Sequence, residues 1–184
     1  MENKKESAEI ENYFTEIEKR VSECFSIAEQ ARKKGFDPEC AVEIKLAKNM
    51  AERVEGLIGT IAPGLVGSGM TKRIVELENK YSPMDWRVAL IIAEEVAKEK
   101  FCRFEDKKTA MEIGIRAGFA YHTGGIVAAP LEGFIELKIK KRRDAKEYLC
   151  PCYAGPIRGA GGTAASFSVI LTDYVGQKNG VSQV

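Results

Sequence analysis

The 184 residues carry 28 Lys and Arg against 27 Asp and Glu, a single His and a formal net charge of +1. A balance so close to neutral excludes binding of nucleic acid through the overall field of the chain; any such contact must be local. The 45% apolar and 30% charged shares are those of an ordinary globular protein, long enough for one domain or two small ones. No apolar run is long enough for a membrane span. The start Met1-Glu2-Asn3-Lys4-Lys5-Glu6 lacks the apolar stretch of a signal peptide and reads as a native start, so a cytoplasmic location is expected.

The first half reads as helical. Ile10, Tyr13, Phe14, Ile17, Val21, Cys24, Phe25, Ala28 and Ala31 recur at three- and four-residue steps, the signature of one apolar helix face. That stripe is either core or a surface for a partner or for self-association, with Tyr13, Phe14, Ile17 and Val21 its strongest positions. Gly35 suits the helix end and Pro38 stops continuation. A second helix is expected over residues 47–58, with Met50, Val54, Leu57 and Ile58 inward, and a connector over 62–69. Ser82-Pro83-Met84-Asp85 has Ser for an N-cap, Pro for the first helical position and a carboxylate behind it. It predicts a helix running to about residue 100 that buries Trp86, Ala89, Leu90, Ala93 and Val96. Another is expected over 107–121, ending at Gly124-Gly125.

The pattern changes at Ile126. Phe134 to Lys140 alternates with period two, predicting a strand with Ile135, Leu137 and Ile139 toward a core and Glu136, Lys138 and Lys140 outward. A polar connection over 141–146 and a return strand over 147–153 complete a hairpin. The expected fold class is α+β: a helical N-terminal domain, residues 1–124, then an α+β segment, 125–184, of hairpin, glycine-rich loop and helix.

The stretch Tyr153-Ala154-Gly155-Pro156-Ile157-Arg158-Gly159-Ala160-Gly161-Gly162-Thr163 carries the most chemistry. Glycine lets another backbone or a ligand approach closely. Thr163 is placed to cap a helix over 164–175, leaving first-turn amides and the helix dipole for an anion. Arg158 adds a planar charged fork suited to phosphate. The Walker A lysine is missing, and Ala164 stands where a GxGxxG pattern needs its last glycine. Two readings stand: a phosphate or polyphosphate contact through Arg158, Gly161, Gly162 and Thr163, or a tight strand-to-helix turn.

Lys138, Lys140, Lys141, Arg142, Arg143 and Lys146 cluster on the hairpin, where a phosphate backbone or plain solvent would suit them. Tyr148 and Tyr153 offer stacking or core. Cys24, Cys40, Cys102, Cys150 and Cys152 are too scattered for a disulfide framework. Cys150-Pro151-Cys152 lacks the second ligand pair that structural zinc needs, and its alternate side chains suit burial on one strand face. Asp85, Asp106, Asp144 and Asp173 are isolated, so no carboxylate pair for metal-assisted phosphoryl chemistry is read. Glu132 reads as ordering the turn after Pro130, and His122 as a structural residue at a helix end.

Several segments succeed one another in a telling order: Ala31-Arg32-Lys33-Lys34-Gly35-Phe36-Asp37-Pro38, Val42-Glu43-Ile44, Met50-Ala51-Glu52-Arg53-Val54-Glu55-Gly56-Leu57, Gly125-Ile126-Val127-Ala128-Ala129-Pro130-Leu131-Glu132-Gly133, and the glycine loop. In order and spacing the chain resembles, from about residue 13 to about residue 175, the N-terminal part of the archaeal D-family DNA polymerase large subunit. Lys45 and Gly159 depart from the pattern, which favours proline and serine there. The resemblance implies part of a DNA-directed DNA polymerase, a nucleotidyltransferase of replication, present as a fragment, split-gene piece or truncated homologue. It implies that the catalytic aspartates, and the Mg and Zn of the full-length family, belong to regions outside this chain, so that no cofactor is expected in it. DNA, the small exonuclease subunit and the rest of the large subunit are the implied partners. The residues expected at DNA are Lys138, Lys140, Lys141, Arg142, Arg143, Arg158, Gly161, Gly162 and Thr163. A protein-interaction scaffold without DNA affinity and a nucleotide-binding small-molecule enzyme are the competing readings.

Overall fold

The computed structural model describes residues 8–36 and 46–181. Pro38, Cys40, residues 42–44 and Lys45 lie outside the described residues. The chain divides into two units, Met1–Leu46 and Ala47–Val184. In the first, the expected apolar stripe forms one helix, α1 (Ala8–Lys33), with glutamates in its first turn and Arg32 and Lys33 in its last, as the helix dipole favours. None of its residues is buried.

The second unit contains α2 (Met50–Gly59), α3 (Met70–Tyr81), α4 (Trp86–Ala97), α5 (Lys107–His122), the antiparallel pair β1 (Phe134–Lys141) and β2 (Glu147–Tyr153), and α6 (Gly162–Lys178). The α+β class is as expected. Asn49 caps α2 by accepting from the Glu52 amide at 2.9 Å, while the Glu52 carboxylate accepts from the Lys48 amide at 2.8 Å. This reciprocal arrangement satisfies two otherwise orphaned donors. The connector holds a short 3-10 turn, Pro63–Leu65, that sinks Leu65 into the core. α3 adds a helix to those expected; its Met70, Ile74 and Leu77 at steps of four and three are all buried.

The start of α4 differs from expectation. Asp85, not Ser82, is its N-cap, accepting from the Arg87 amide at 2.8 Å. Ser82 and Met84 both hold positive φ, 144° and 62°, which keeps the Ser-Pro-Met segment out of helical geometry. Pro83 also disfavours a helical residue before it. Trp86 therefore falls in the first turn and is 55% exposed rather than buried, and the helix ends at Ala97, short of residue 100.

α5 is the central element. From Ala110 to Tyr121 all but Glu112 are buried, as expected of a helix with neighbours on every side. Ile113, Ala117, Ala120 and Tyr121 join a cluster with α2, α3 and α4, whereas Met111, Ile115 and Phe119 join Phe134, Leu137, Leu149, Leu171 and Val175 of the hairpin and α6. Gly124, the boundary expected from the sequence, lies inside this unit, and residues on both sides of it join the second of these clusters. Small residues let α4 approach α5: a Cβ at Gly114 would lie 2.5 Å from the Ala93 carbonyl oxygen. Gly124 and Gly125 close the helix with φ of 66° and 72°, and the Gly125 amide reaches back to the Ala120 carbonyl at 2.8 Å.

The strand phase also differs. The register shifts between Phe134 and Glu136, so Phe134 and Leu137 are both buried while Ile135 is 52% exposed. A bulge of this kind puts one extra residue in the strand and switches the face of the side chains beyond it. Ile139 keeps the Leu137 face but lies beyond the core and is exposed.

Candidate nucleic-acid interface

The hairpin register sorts the basic cluster. Lys138 stands opposite Cys150 and Lys140 opposite Tyr148, so these side chains share the outward face. Lys141, opposite Glu147, lies on the other face, and Arg142, Arg143 and Lys146 crowd the tip. Three of the cations are engaged: Lys138 with Glu136 at 2.8 Å, Arg142 with Asp144 at 3.6 Å and Lys146 with Asp144 at 3.9 Å. The hydrogen bond between Lys138 and Glu136 raises the lysine pKa and lowers that of the glutamate. Among the described residues Lys140, Lys141, Arg143 and Arg158 are exposed cations with no carboxylate partner.

Cys150 and Cys152 are half-buried on the outward face, beside Lys138 and Glu136 rather than against the core. The reason is again register: Leu149 and Pro151 take the inner face of β2. Tyr153 is held away from any stacking role, its hydroxyl 2.6 Å from Ser168 Oγ and its ring edge-on to Phe134. Burial pushes its pKa up. Tyr148 is half-buried on the Lys140 face.

The glycine loop takes a form the sequence did not indicate. Residues Gly155–Ala160 make a 3-10 turn, and Gly161, with φ 88°, is the N-cap of α6. Thr163 is therefore an exposed first-turn residue and not a cap, because the helix begins at Gly162. A Cβ at Gly155, Gly159, Gly161 or Gly162 would meet nothing within 4 Å. Of these only Gly161 needs glycine for its backbone angle; packing requires none of them. The crowded glycine is Gly133, where a Cβ would lie 2.6 Å from the Ala128 carbonyl oxygen and 2.9 Å from the Ile157 amide nitrogen. Gly133 also accepts a hydrogen bond from the Ala154 amide at 2.9 Å. The wide turn Ala128–Gly133 thus forms the bed on which the glycine loop lies.

The hairpin tip and Arg158 do not converge. β2 runs from the tip to the loop, and its length separates them by roughly 20 Å at about 3.3 Å per residue. They mark the two ends of a strip defined by order along the hairpin, with Lys140 and Lys138 on β1 between them.

Sequence reasoning missed the group that holds this strip. Arg116 on α5 is buried. It donates to the carbonyls of Pro130 at 2.7 Å, Phe134 at 2.6 Å and Ile135 at 2.8 Å, and forks onto Glu112 Oε1 at 3.1 and 2.7 Å. Glu112 Oε2 accepts from the Leu137 amide at 2.9 Å. The available signal was an arginine four residues after a glutamate, the two charged residues of the otherwise apolar run 110–121. The pair borders an open cleft of about 340 Å³ with Ile61, Ile113, Leu131, Phe134 and Ile135. All five guanidinium protons already have acceptors, so the cleft offers an anion no arginine donor.

Other expected residues serve the fold. His122 ends α5 and stacks on Phe167, ring centroids 3.7 Å apart, and burial lowers its pKa. Glu132 is exposed; its amide, rather than its carboxylate, closes on Val127 at 3.4 Å. Asp85 and Asp106 are helix caps, and an Arg87 hydrogen bond holds Asp85 down to about 2. On α1, Tyr13 is 62% exposed and edge-on to Phe14, while Phe14, Ile17 and Val21 are half-buried. No helix among the described residues is long and apolar enough to cross a membrane.

The family model "DNA polymerase II large subunit DP2, N-terminal" matches residues 12–184. The DNA polymerase II large subunit of Nanoarchaeum equitans is 45% identical over 169 residues, covering 92% of this chain and 14% of that protein. Those of Pyrococcus furiosus and Thermoplasma volcanium are each 42% identical, covering 95% and 97% of this chain and 13% and 15% of theirs. The chain thus spans only a small part of the length of the curated relatives it matches. The chain belongs to the family of the N-terminal region of the DNA polymerase II large subunit.

Proposed function

We propose that this chain is the N-terminal part of the large subunit of a replicative D-family DNA polymerase, serving assembly and DNA-backbone contact rather than the chemical step. The observation that carries the DNA reading is the strip of unpaired, exposed cations. Lys140 and Arg143 lie on the hairpin, with Lys141 on its other face, and Arg158 lies beside glycines whose missing side chains the packing does not require. Cations free of internal partners release counterions when they meet phosphates, which drives sequence-independent affinity. Arg142 and Lys138 would contribute after exchanging their carboxylates for phosphate. The exposed start of α6, with Gly161 as N-cap and Gly162 and Thr163 in the first turn, adds amides and a favourable dipole. A separation of roughly 20 Å between tip and loop corresponds to about six base-pair steps. Contact at both ends therefore needs a duplex longer than that.

The assembly reading rests on α1. A long helix with an apolar stripe and no buried residue has surface suited to another protein. Tyr13, Phe14, Ile17 and Val21 are its contact positions. Proposed occupants are the small exonuclease subunit, the remainder of the large subunit or a second copy. Polymerisation, with its Mg, and any Zn modules are assigned to the part of the large subunit outside this chain.

Equilibrium binding of a fluorescent primer–template duplex at several salt concentrations tests the DNA reading. Arg158→Ala and Lys140→Ala should each weaken binding and lower the salt slope by about 1 while leaving thermal melting unchanged. No affinity at low salt leaves the scaffold reading, for which sedimentation with the small subunit is the direct measurement.

A further inference from the structure

We infer that Arg116 and Glu112 act as a positioning pair, fixing the spacing between the basic hairpin and the glycine loop so that both ends of the strip meet one nucleic-acid backbone. The inference rests on the DNA-contact reading above. Neither residue touches nucleic acid in this scheme; both work through the main chain.

The connections are continuous. The guanidinium on α5 binds the carbonyl of Pro130 inside the wide turn and those of Phe134 and Ile135 at the bulged start of β1. It lies 4.6 Å from the Phe134 ring centroid, which leaves the planar fork little freedom. Glu112 orients that fork with one oxygen and takes the Leu137 amide of β1 with the other. The turn so held ends in Gly133, whose carbonyl accepts from Ala154 and whose Cα faces the backbone of Ile157. One charged pair on a central helix thereby holds the hairpin base directly and the Arg158 loop through one intervening glycine.

Burial makes the arrangement informative. The guanidinium of an arginine that is 7% exposed loses its hydration and must have every proton satisfied. A pair of apolar residues would fill the same volume without that demand, and buried ion pairs are poor sources of net stability. What a forked arginine supplies and an apolar side chain cannot is a fixed direction to three separate carbonyls. The bulge at Phe134–Glu136 would otherwise be a soft point at the hairpin base.

The test uses the full 184-residue chain. Arg116→Lys keeps the charge but has too few donors, and it risks not folding. Glu112→Gln is the milder variant, since it keeps shape and one acceptor and removes the second anionic oxygen. Amide hydrogen exchange and salt-dependent binding of the primer–template duplex are measured on both variants and on the wild-type chain. A positioning role predicts exchange about tenfold faster at 133–141 and 154–161 in Glu112→Gln, with α3 and α4 unchanged. It also predicts a salt slope smaller by about 1, because one end of the strip loses its phosphates. Wild-type binding with Glu112→Gln showing the same affinity and slope overturns the positioning role alone. Exchange that rises uniformly through the chain, with the slope retained, assigns the pair to general stability and overturns it too. A wild-type chain with no affinity for the duplex removes the DNA-contact reading and this role together.

Discussion

Gly118 on α5 faces the carbonyl oxygen of Ala89 on α4 so closely that an added Cβ would lie 2.6 Å from it, and 2.9 Å from the Ala93 side chain. Together with Gly114, four residues earlier, it sets how near the two central helices come. Gly118→Ala gains about 1 kcal/mol of helix propensity. Separating two packed helices costs more, about 1–3 kcal/mol. Urea unfolding of Gly118→Ala should therefore show a net loss of stability, with a lower midpoint at unchanged slope.

Gly133 and Gly159 should behave oppositely. Gly133→Ala drives a Cβ into the Ala128 carbonyl and the Ile157 amide, so it should lift the glycine loop from its bed and destabilise the chain. Gly159→Ala meets nothing within 4 Å. It should leave stability unchanged or raise it by up to about 1 kcal/mol through the unfolded chain. If the loop touches a phosphate backbone, Gly159→Ala should still weaken duplex binding. Thermal melting and binding measured on the same samples separate the two effects.

His122 is the only histidine of the chain, and burial lowers its pKa below the ordinary 6.5. A depressed pKa means that the unfolded chain takes the proton first. The contribution of His122 is therefore complete above pH 6.5 and is lost as pH falls through its lower folded value. The melting temperature should drop between pH 7 and pH 5, and His122→Phe, which keeps the stack on Phe167, should flatten that drop.

Tyr121 is fully buried, with its hydroxyl accepting from the Met84 amide at 2.9 Å and donating to Glu78 at 2.8 Å. Burial first, then the Glu78 hydrogen bond, push its pKa well above the ordinary 10.0. The sign is opposite to that of His122: its contribution is present below pH 10 and is lost as pH rises through the folded value. Tyr121→Phe should cost about 1–2 kcal/mol at neutral pH by leaving the Met84 amide unpaired. It should also make alkaline unfolding less steep, read by circular dichroism against pH.

Much of this architecture is legible from one-dimensional periodicity. The Ile10-to-Ala31 stripe, the hairpin and the close of α5 at Gly124-Gly125 depend on neighbours within a turn or on an adjacent strand. The misreadings arise where distant atoms compete with local preference. Ser82 is a good cap in isolation, but the positive φ values at Ser82 and Met84 hand the role to Asp85. Thr163 is likewise a good cap, yet the 3-10 turn before it starts the helix at Gly162. Perfect alternation in β1 hides the bulge, because inserting one residue needs a partner strand to be visible.

The sequence alone determined most of the elements, though neither α3 nor the 3-10 turn of the glycine loop, together with the family and the presence of a basic hairpin beside that loop, because each is written in short-range spacing and composition. Only the tertiary structure decided which cations stay unpaired, that the loop glycines stand open while Gly133 is crowded, and that Arg116 and Glu112 tie α5 to both. Those are relations between atoms far apart along the chain, and a buried guanidinium finds its three carbonyls only once the fold has brought them together.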